Sequence, residues 1–100
     1  MDEYAITEEV LDWLESLDLQ GDPGPWRSMV EGRDHTSGDT FIMVGREDDR
    51  SEDIYVHRDS GTAIPADMDL IAAARTYLPF LTAEIRALRQ LSKSHRLTPE

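Results

Sequence analysis

Apolar residues near the start of the chain recur at the spacing of an α-helix. Val10, Trp13 and Leu17 fall on one stripe of the segment ITEEVLDWLESLDL, because residues three and four apart share a helix face. Thr7 is suited to cap this helix, and the two glutamates after it complement the helix dipole. The GDPGP segment that follows contains prolines and glycines, which end a helix. The pattern therefore predicts a helix from about residue 7 to 18.

The middle of the chain changes to the pattern of β-strands. TFIMVGR is an apolar run of strand length, and DIYVHRD alternates apolar and polar residues. We predict three strands, near residues 26–32, 40–46 and 54–58, and a brief fourth edge strand within 59–64. The polar connections are short enough for hairpins, so the sheet should be an antiparallel meander. The central run is apolar on both faces, which leaves its core face open and is compatible with cover on both sides.

The segment DLIAAARTYLPFLTAEIRALRQL is rich in helix formers but contains Pro79. Asp67 or Asp69 can cap a helix here. A proline inside an unbroken helix costs about 3 kcal/mol. The cheaper arrangement ends the first helix near residues 76 to 78 and starts a second with Pro79, running to about residue 92. A single helix kinked at the proline is the alternative.

Beyond the proline, four apolar residues follow at gaps of four and three. They are Leu81, Ile85, Leu88 and Leu91. This spacing is typical of helix pairing, and it indicates either packing on the protein's own sheet or a seam between two copies. Together, the elements predict one α+β domain over residues 1–100, of order α-β-β-β-α-α, with the C-terminal helical segment broken at Pro79.

Length and composition narrow the class of protein. One hundred residues with 39% apolar content are enough for one small core. The chain contains no cysteine, so disulfides and thiolate chemistry are excluded. The acidic N-terminus lacks the pattern of a signal peptide, and no apolar run is long enough to cross a membrane. We expect a soluble cytoplasmic protein.

Charge is the most unusual bulk property of the sequence. The formal net charge is −11, from 21 acidic and 10 basic residues. Residues 1–69 hold 19 acids and five arginines (−14), whereas residues 70–100 hold two acids and five bases (+3). Because nucleic-acid affinity depends on bases that neutralise phosphates, we expect no direct binding to nucleic acid.

Three stretches resemble a known group of small viral proteins. GPW (24–26), the short β-rich middle and IAAARTYLPFLTAEIRALR (71–89) are similar to the Ead-like early proteins of bacteriophages and prophages and to related short actinophage proteins. The resemblance implies a phage or prophage context, expression in a host cytoplasm and an accessory role. It supplies no catalytic residues. The first helix is more acidic than is typical of that family.

Candidate catalytic and metal-binding patterns are weak. Counted from Asp48, the acidic loop 47–53 has Arg50 at position 3, where an EF-hand needs an oxygen ligand, which favours a solvated turn. His35, His57 and His95 lack metal-ligand spacing. The sequence contains no nucleophile elbow, phosphate-binding loop or dinucleotide fingerprint. We expect neither a cofactor nor a metal, and a non-enzymatic protein.

Three functions remain open. The first is an accessory protein that binds a host or phage protein with a basic surface, inhibiting a nucleic-acid-directed host system through an acidic surface. Its binding residues are predicted as Glu8, Glu9, Asp12, Glu15, Asp48 and Asp49, although a charge run is also typical of a solvated face. The second is a homodimer or adaptor that uses the C-terminal leucine spacing. The third is a small enzyme or ligand-binding protein that uses His35 with Asp34 or Asp39. Trp13 and Trp26 suit either a core or a contact surface.

Overall fold

The computed structural model describes residues 3–36, 38–46 and 48–97, and it has two helices and five short strands in those ranges. The elements are α1 (Glu8–Gln20), β1 (Arg27–Met29), β2 (Phe41–Met43), β3 (Ile54–Tyr55), β4 (His57–Arg58), β5 (Gly61–Thr62) and α2 (Pro65–Leu97). The predicted α+β class is confirmed. The predicted order is wrong in two respects. The predicted third strand, 54–58, is divided into β3 and β4, and a single helix follows the strands.

The first helix begins where the cap was predicted. The Thr7 hydroxyl oxygen accepts a hydrogen bond from the backbone N–H of Val10 at 3.1 Å, which satisfies one of the free N–H groups at the helix start. At the other end, the N–H of Gly21 donates to the carbonyl of Leu17 at 3.0 Å. The helix therefore ends at Gln20, about one half-turn beyond the predicted end.

The strands form the predicted antiparallel meander. β1 pairs with β2, with Ser28 opposite Ile42, and β2 pairs with β3, with Phe41 opposite Tyr55. Each strand is two or three residues long, so the predicted strands were too long. The fourth edge strand is also confirmed as β5, but it pairs with β4 in a separate two-stranded sheet, with His57 opposite Thr62.

Both faces of the central strand are covered. On one face, Ile42 is fully buried in a cluster with Val30, Met68 and Ala72, which brings the sheet onto α2. On the other face, the Phe41 ring lies 5.2 Å from the rings of both His35 and Tyr55, and the Arg50 guanidinium lies 4.6 Å above it. This double cover explains why the run is apolar on both faces. Trp26 packs against the edge of the core.

The second helix is continuous from Pro65 to Leu97 and contains Pro79, so the predicted break is wrong. A helix of 33 residues spans about 50 Å. It gives the molecule a long axis of 63 Å and a radius of gyration of 18.2 Å, compared with about 13 Å for a compact domain of 100 residues. Much of α2 therefore extends beyond the sheet.

The first helix forms ion pairs with α2 on both sides of Pro79. On the N-terminal side of Pro79, Arg75 of α2 forms an ion pair with Asp18. On the C-terminal side, Arg86 of α2 forms an ion pair with Glu15 at 2.8 Å. The α1 helix thus binds α2 on both sides of the proline. The Thr82 hydroxyl, buried beside the proline, donates to nearby α2 carbonyls. These contacts outweigh a local preference that by itself favours a break.

Candidate protein-interaction surface

The acids of α1 that were predicted to face a partner bind arginines of α2. The Arg86 guanidinium donates to Glu8 at 2.7 Å, to Asp12 at 2.7 Å and to Glu15 at 2.8 and 3.1 Å. Arg89 donates to the other carboxylate oxygen of Glu8. The hydrogen bond from Arg86 lowers the pKa of Glu15, and the three acids raise the pKa of Arg86. We call this group, Glu8, Asp12, Glu15, Arg86 and Arg89, the α1–α2 clamp.

The clamp leaves fewer acids for an outside partner than the sequence indicated. Three of the four α1 carboxylates named for that role belong to the clamp, while Glu9 is exposed on a different face of the helix. In the acidic loop, Arg46 pairs with Asp48 at 2.9 Å, and Asp49 accepts a hydrogen bond from the Ser51 hydroxyl at 2.8 Å. Glu47 lies outside the described residues. Within the described ranges, no group of three potential metal ligands occurs.

Asp34 and His35, predicted as a possible acid/base pair, each contact other groups in the structure. Asp34 accepts hydrogen bonds from the backbone N–H of Val30 at 2.8 Å and from Arg33, so its carboxylate points into its own turn. One ring nitrogen of His35 lies 3.4 Å from Glu31, and the other lies 3.3 Å from the carbonyl oxygen of Met29. His35 therefore stabilises the β1–β2 connection beneath Phe41.

A cleft separates the proline-rich turn from α2. Its volume is about 630 Å³, and its walls include Leu19, Pro23, Pro25, Pro79 and Phe80. The polar groups of the cleft have partners inside the protein. Arg75 donates to Asp18 and to the carbonyl of Asp22, and the Thr76 hydroxyl bonds the backbone N–H and carbonyl of Trp26. A small-molecule site needs polar groups that converge on the ligand, and these groups are already committed to the turn.

The outer face of α2 carries a stripe of exposed residues that is apolar except for Glu84. Its large side chains are 56–67% exposed, although they are leucine and tyrosine. The residues follow gaps of four and three over three heptads, which places them on one helix face. We call these residues the outer stripe: Leu70, Ala74, Tyr77, Leu81, Glu84, Leu88 and Leu91. The face opposite carries Met68, Ala72 and Thr82, which are buried against the rest of the protein.

The sequence revealed only the second half of this stripe. Leu81, Leu88 and Leu91 were predicted for self-association and lie on it, whereas Ile85 is half-buried on a neighbouring face and Glu84 takes the stripe position. The residues before Pro79 were missed, although their spacing was readable. The prediction of a helix break at Pro79 removed any reason to align Leu70 with the leucines beyond it.

The two tryptophans differ in their exposure to solvent. Trp26 is half-buried against the core cluster, and its indole lies 5.9 Å from the Arg75 guanidinium. Trp13 is 60% exposed, on the edge of α1 that lies away from the clamp. Leu17 is exposed on the same edge, so α1 adds further apolar surface to the exterior of the helical pair.

Comparisons with protein-family models, curated proteins and solved structures find no match. The resemblance to Ead-like phage proteins therefore stays a prediction. The described portion of the chain contains no helix that is both long and apolar enough to cross a membrane. The assignment of function consequently depends on the exposed surfaces themselves.

Proposed function

We propose that this chain is a non-enzymatic accessory protein that works by binding protein, and that it self-associates through the outer stripe of α2. The observation that carries the proposal is the exposure of five large apolar side chains at heptad spacing on one helix face. Apolar stripes of this kind are a common basis of helix pairing. The phage or prophage setting, in a host cytoplasm, enters the proposal through the resemblance alone.

The free energy of binding favours the outer stripe over the α1 carboxylates as the contact surface. Exposed apolar patches on a small protein indicate interaction sites, because burying them contributes about 25 cal/mol per Å². The α1 carboxylates must instead leave Arg86 and Arg89 before they can bind a basic partner. A competing partner would have to replace ion pairs that already exist within the protein. We therefore place the acidic-surface mechanism second to the stripe.

Measuring mass against concentration tests the proposal. We expect sedimentation equilibrium of the wild-type chain to show a mass that rises from monomer to dimer in the micromolar range, as is typical of a small interface. Leu81→Glu introduces a charge at the middle of the stripe and should leave a monomer. Gln90→Glu changes the net charge equally, at an exposed position off the stripe, and should behave like wild type.

The two variants also separate association from folding. Leu81 is 57% exposed, so its replacement should leave the helical circular dichroism of the monomer unchanged. A wild-type chain that remains monomeric at millimolar concentration contradicts self-association. A Leu81→Glu chain that still dimerises places the contact elsewhere on the molecule.

A further inference from the structure

We infer that the partner of the outer stripe is a second copy of this chain, packed antiparallel, with Tyr77 of each copy against Leu81 of the other. This inference rests on the proposed function and specifies the geometry of the same surface. In the implied register, Leu70 packs against Leu88 of the second copy, and Ala74 packs against its Glu84. The contact is centred near Pro79, which lies on the inner side of α2.

The single charged residue of the stripe decides the orientation. A parallel pair places every stripe residue beside its own copy, so Glu84 would meet Glu84 inside the seam. Two carboxylates at one contact repel, and burying them without a cation is costly. In the antiparallel register, residues 84 of the two copies lie about 15 Å apart along the axis. Each can then receive a hydrogen bond from the phenol of Tyr77 in the other copy.

Side-chain size favours the same orientation. A parallel pair places Ala74 beside Ala74 between larger side chains, which leaves a gap in the seam. The antiparallel register instead brings the Ala74 methyl group against the longer Glu84 side chain, whose methylenes fill the space while the carboxylate remains at the edge. The four flanking contacts then join large side chains, as Leu70 with Leu88 and Tyr77 with Leu81.

The area suits a second copy that binds with modest affinity. Four large residues have large stripe partners in this register and are each more than half exposed: Leu70, Tyr77, Leu81 and Leu88. Their burial on two copies removes on the order of 1,000 Å² from water, near the lower end of stable interfaces at about 1,200–2,000 Å².

Cysteine cross-linking tests the orientation directly, because the natural chain has no cysteine. Leu88→Cys alone should form a disulfide dimer under mild oxidation only if the helices are parallel. In the antiparallel register, its two copies lie about 27 Å apart, beyond the reach of a disulfide. A mixture of Leu70→Cys and Leu88→Cys chains, one carrying a size tag, should give the mixed disulfide only if the helices are antiparallel.

The expected result is efficient formation of the mixed disulfide with little Leu88→Cys homodimer. Strong Leu88→Cys homodimer with no mixed product overturns the antiparallel inference but leaves self-association intact. Failure of both products is interpreted with the sedimentation data. A monomeric wild type removes the proposed function and the inference together, whereas a wild-type dimer shows that the two copies contact in another register and overturns only the inference.

Discussion

Replacing Pro79 with alanine tests whether α2 is one helix or two. In a helix interior, proline costs about 3 kcal/mol relative to alanine, because it lacks an N–H group and its ring clashes with the preceding turn. At the first position of a helix this cost is absent, since that N–H has no partner within the helix. The chain offers both situations, with Pro65 at the start of α2 and Pro79 in its interior.

Two smaller effects oppose the gain. Pro79 is half-buried, and losing part of its ring removes about 1 kcal/mol of apolar burial. Alanine also gives the unfolded chain more freedom, which costs about 0.4–1 kcal/mol. We therefore expect Pro79→Ala to raise the free energy of unfolding by about 1 kcal/mol, and Tm by about 4–8 °C. If α2 were broken at Pro79, the substitution should instead lower the free energy of unfolding, because only the lost apolar burial and the added freedom of the unfolded chain would remain.

The assay is thermal and urea unfolding followed by far-ultraviolet circular dichroism. It is best performed in the Leu81→Glu background, because self-association would add a concentration-dependent contribution to Tm. Pro65→Ala serves as the matched control and should give no gain. A folded Pro79→Ala chain that is less stable than its parent would refute the account of α2 as a continuous helix held by α1.

Two further predictions concern ion pairs. The first converts the clamp acids to amides, as Glu8→Gln, Asp12→Asn and Glu15→Gln. We expect a clear fall in Tm because Arg86 loses its carboxylate partners, whereas the control Glu9→Gln should change Tm little; equal effects would show that the clamp does not stabilise the fold. The second concerns Asp69, whose pKa Arg33 and Ser28 lower from 3.8 to about 2. A carboxyl with a lowered pKa stabilises the fold above its unfolded pKa, so the urea midpoint should fall as the pH drops from about 4 to about 2. Asp69→Asn should reduce this fall, and an unchanged pH profile in Asp69→Asn contradicts the assignment.

Several elements were predictable because short-range chemistry determines them. Thr7 caps α1 through a hydrogen bond to a residue three positions away, and the proline-rich turn prevents that helix from continuing. The three meander strands and the β4–β5 hairpin follow from local patterns and short connections. The predicted strands were too long. A strand extends only as far as a neighbouring strand pairs with it, and the local sequence does not show where the neighbouring strand ends.

The candidate surface was only partly predictable for the same kind of reason. The leucines after Pro79 are spaced for helix pairing, but the sequence places a strong break signal in front of them. The acids of α1 were predicted to be free for a partner, because the arginines that bind them, Arg86 and Arg89, lie more than seventy positions away in the chain. Pairing over such separations depends on how α1 and α2 pack.

The sequence by itself determined the cap of α1, the turns, the hairpins and the uneven distribution of charge, because each depends on neighbouring residues or on simple counts. The cap of α2 was predicted at Asp67 or Asp69, but that helix begins at Pro65. The tertiary structure decided that α2 continues through Pro79, because α1 binds arginines on both sides of it. Because α2 is continuous, one face of the helix carries Leu70, Ala74 and Tyr77 together with Leu81, Leu88 and Leu91. The acids of α1 face α2 rather than solvent, because they bind the arginines of α2.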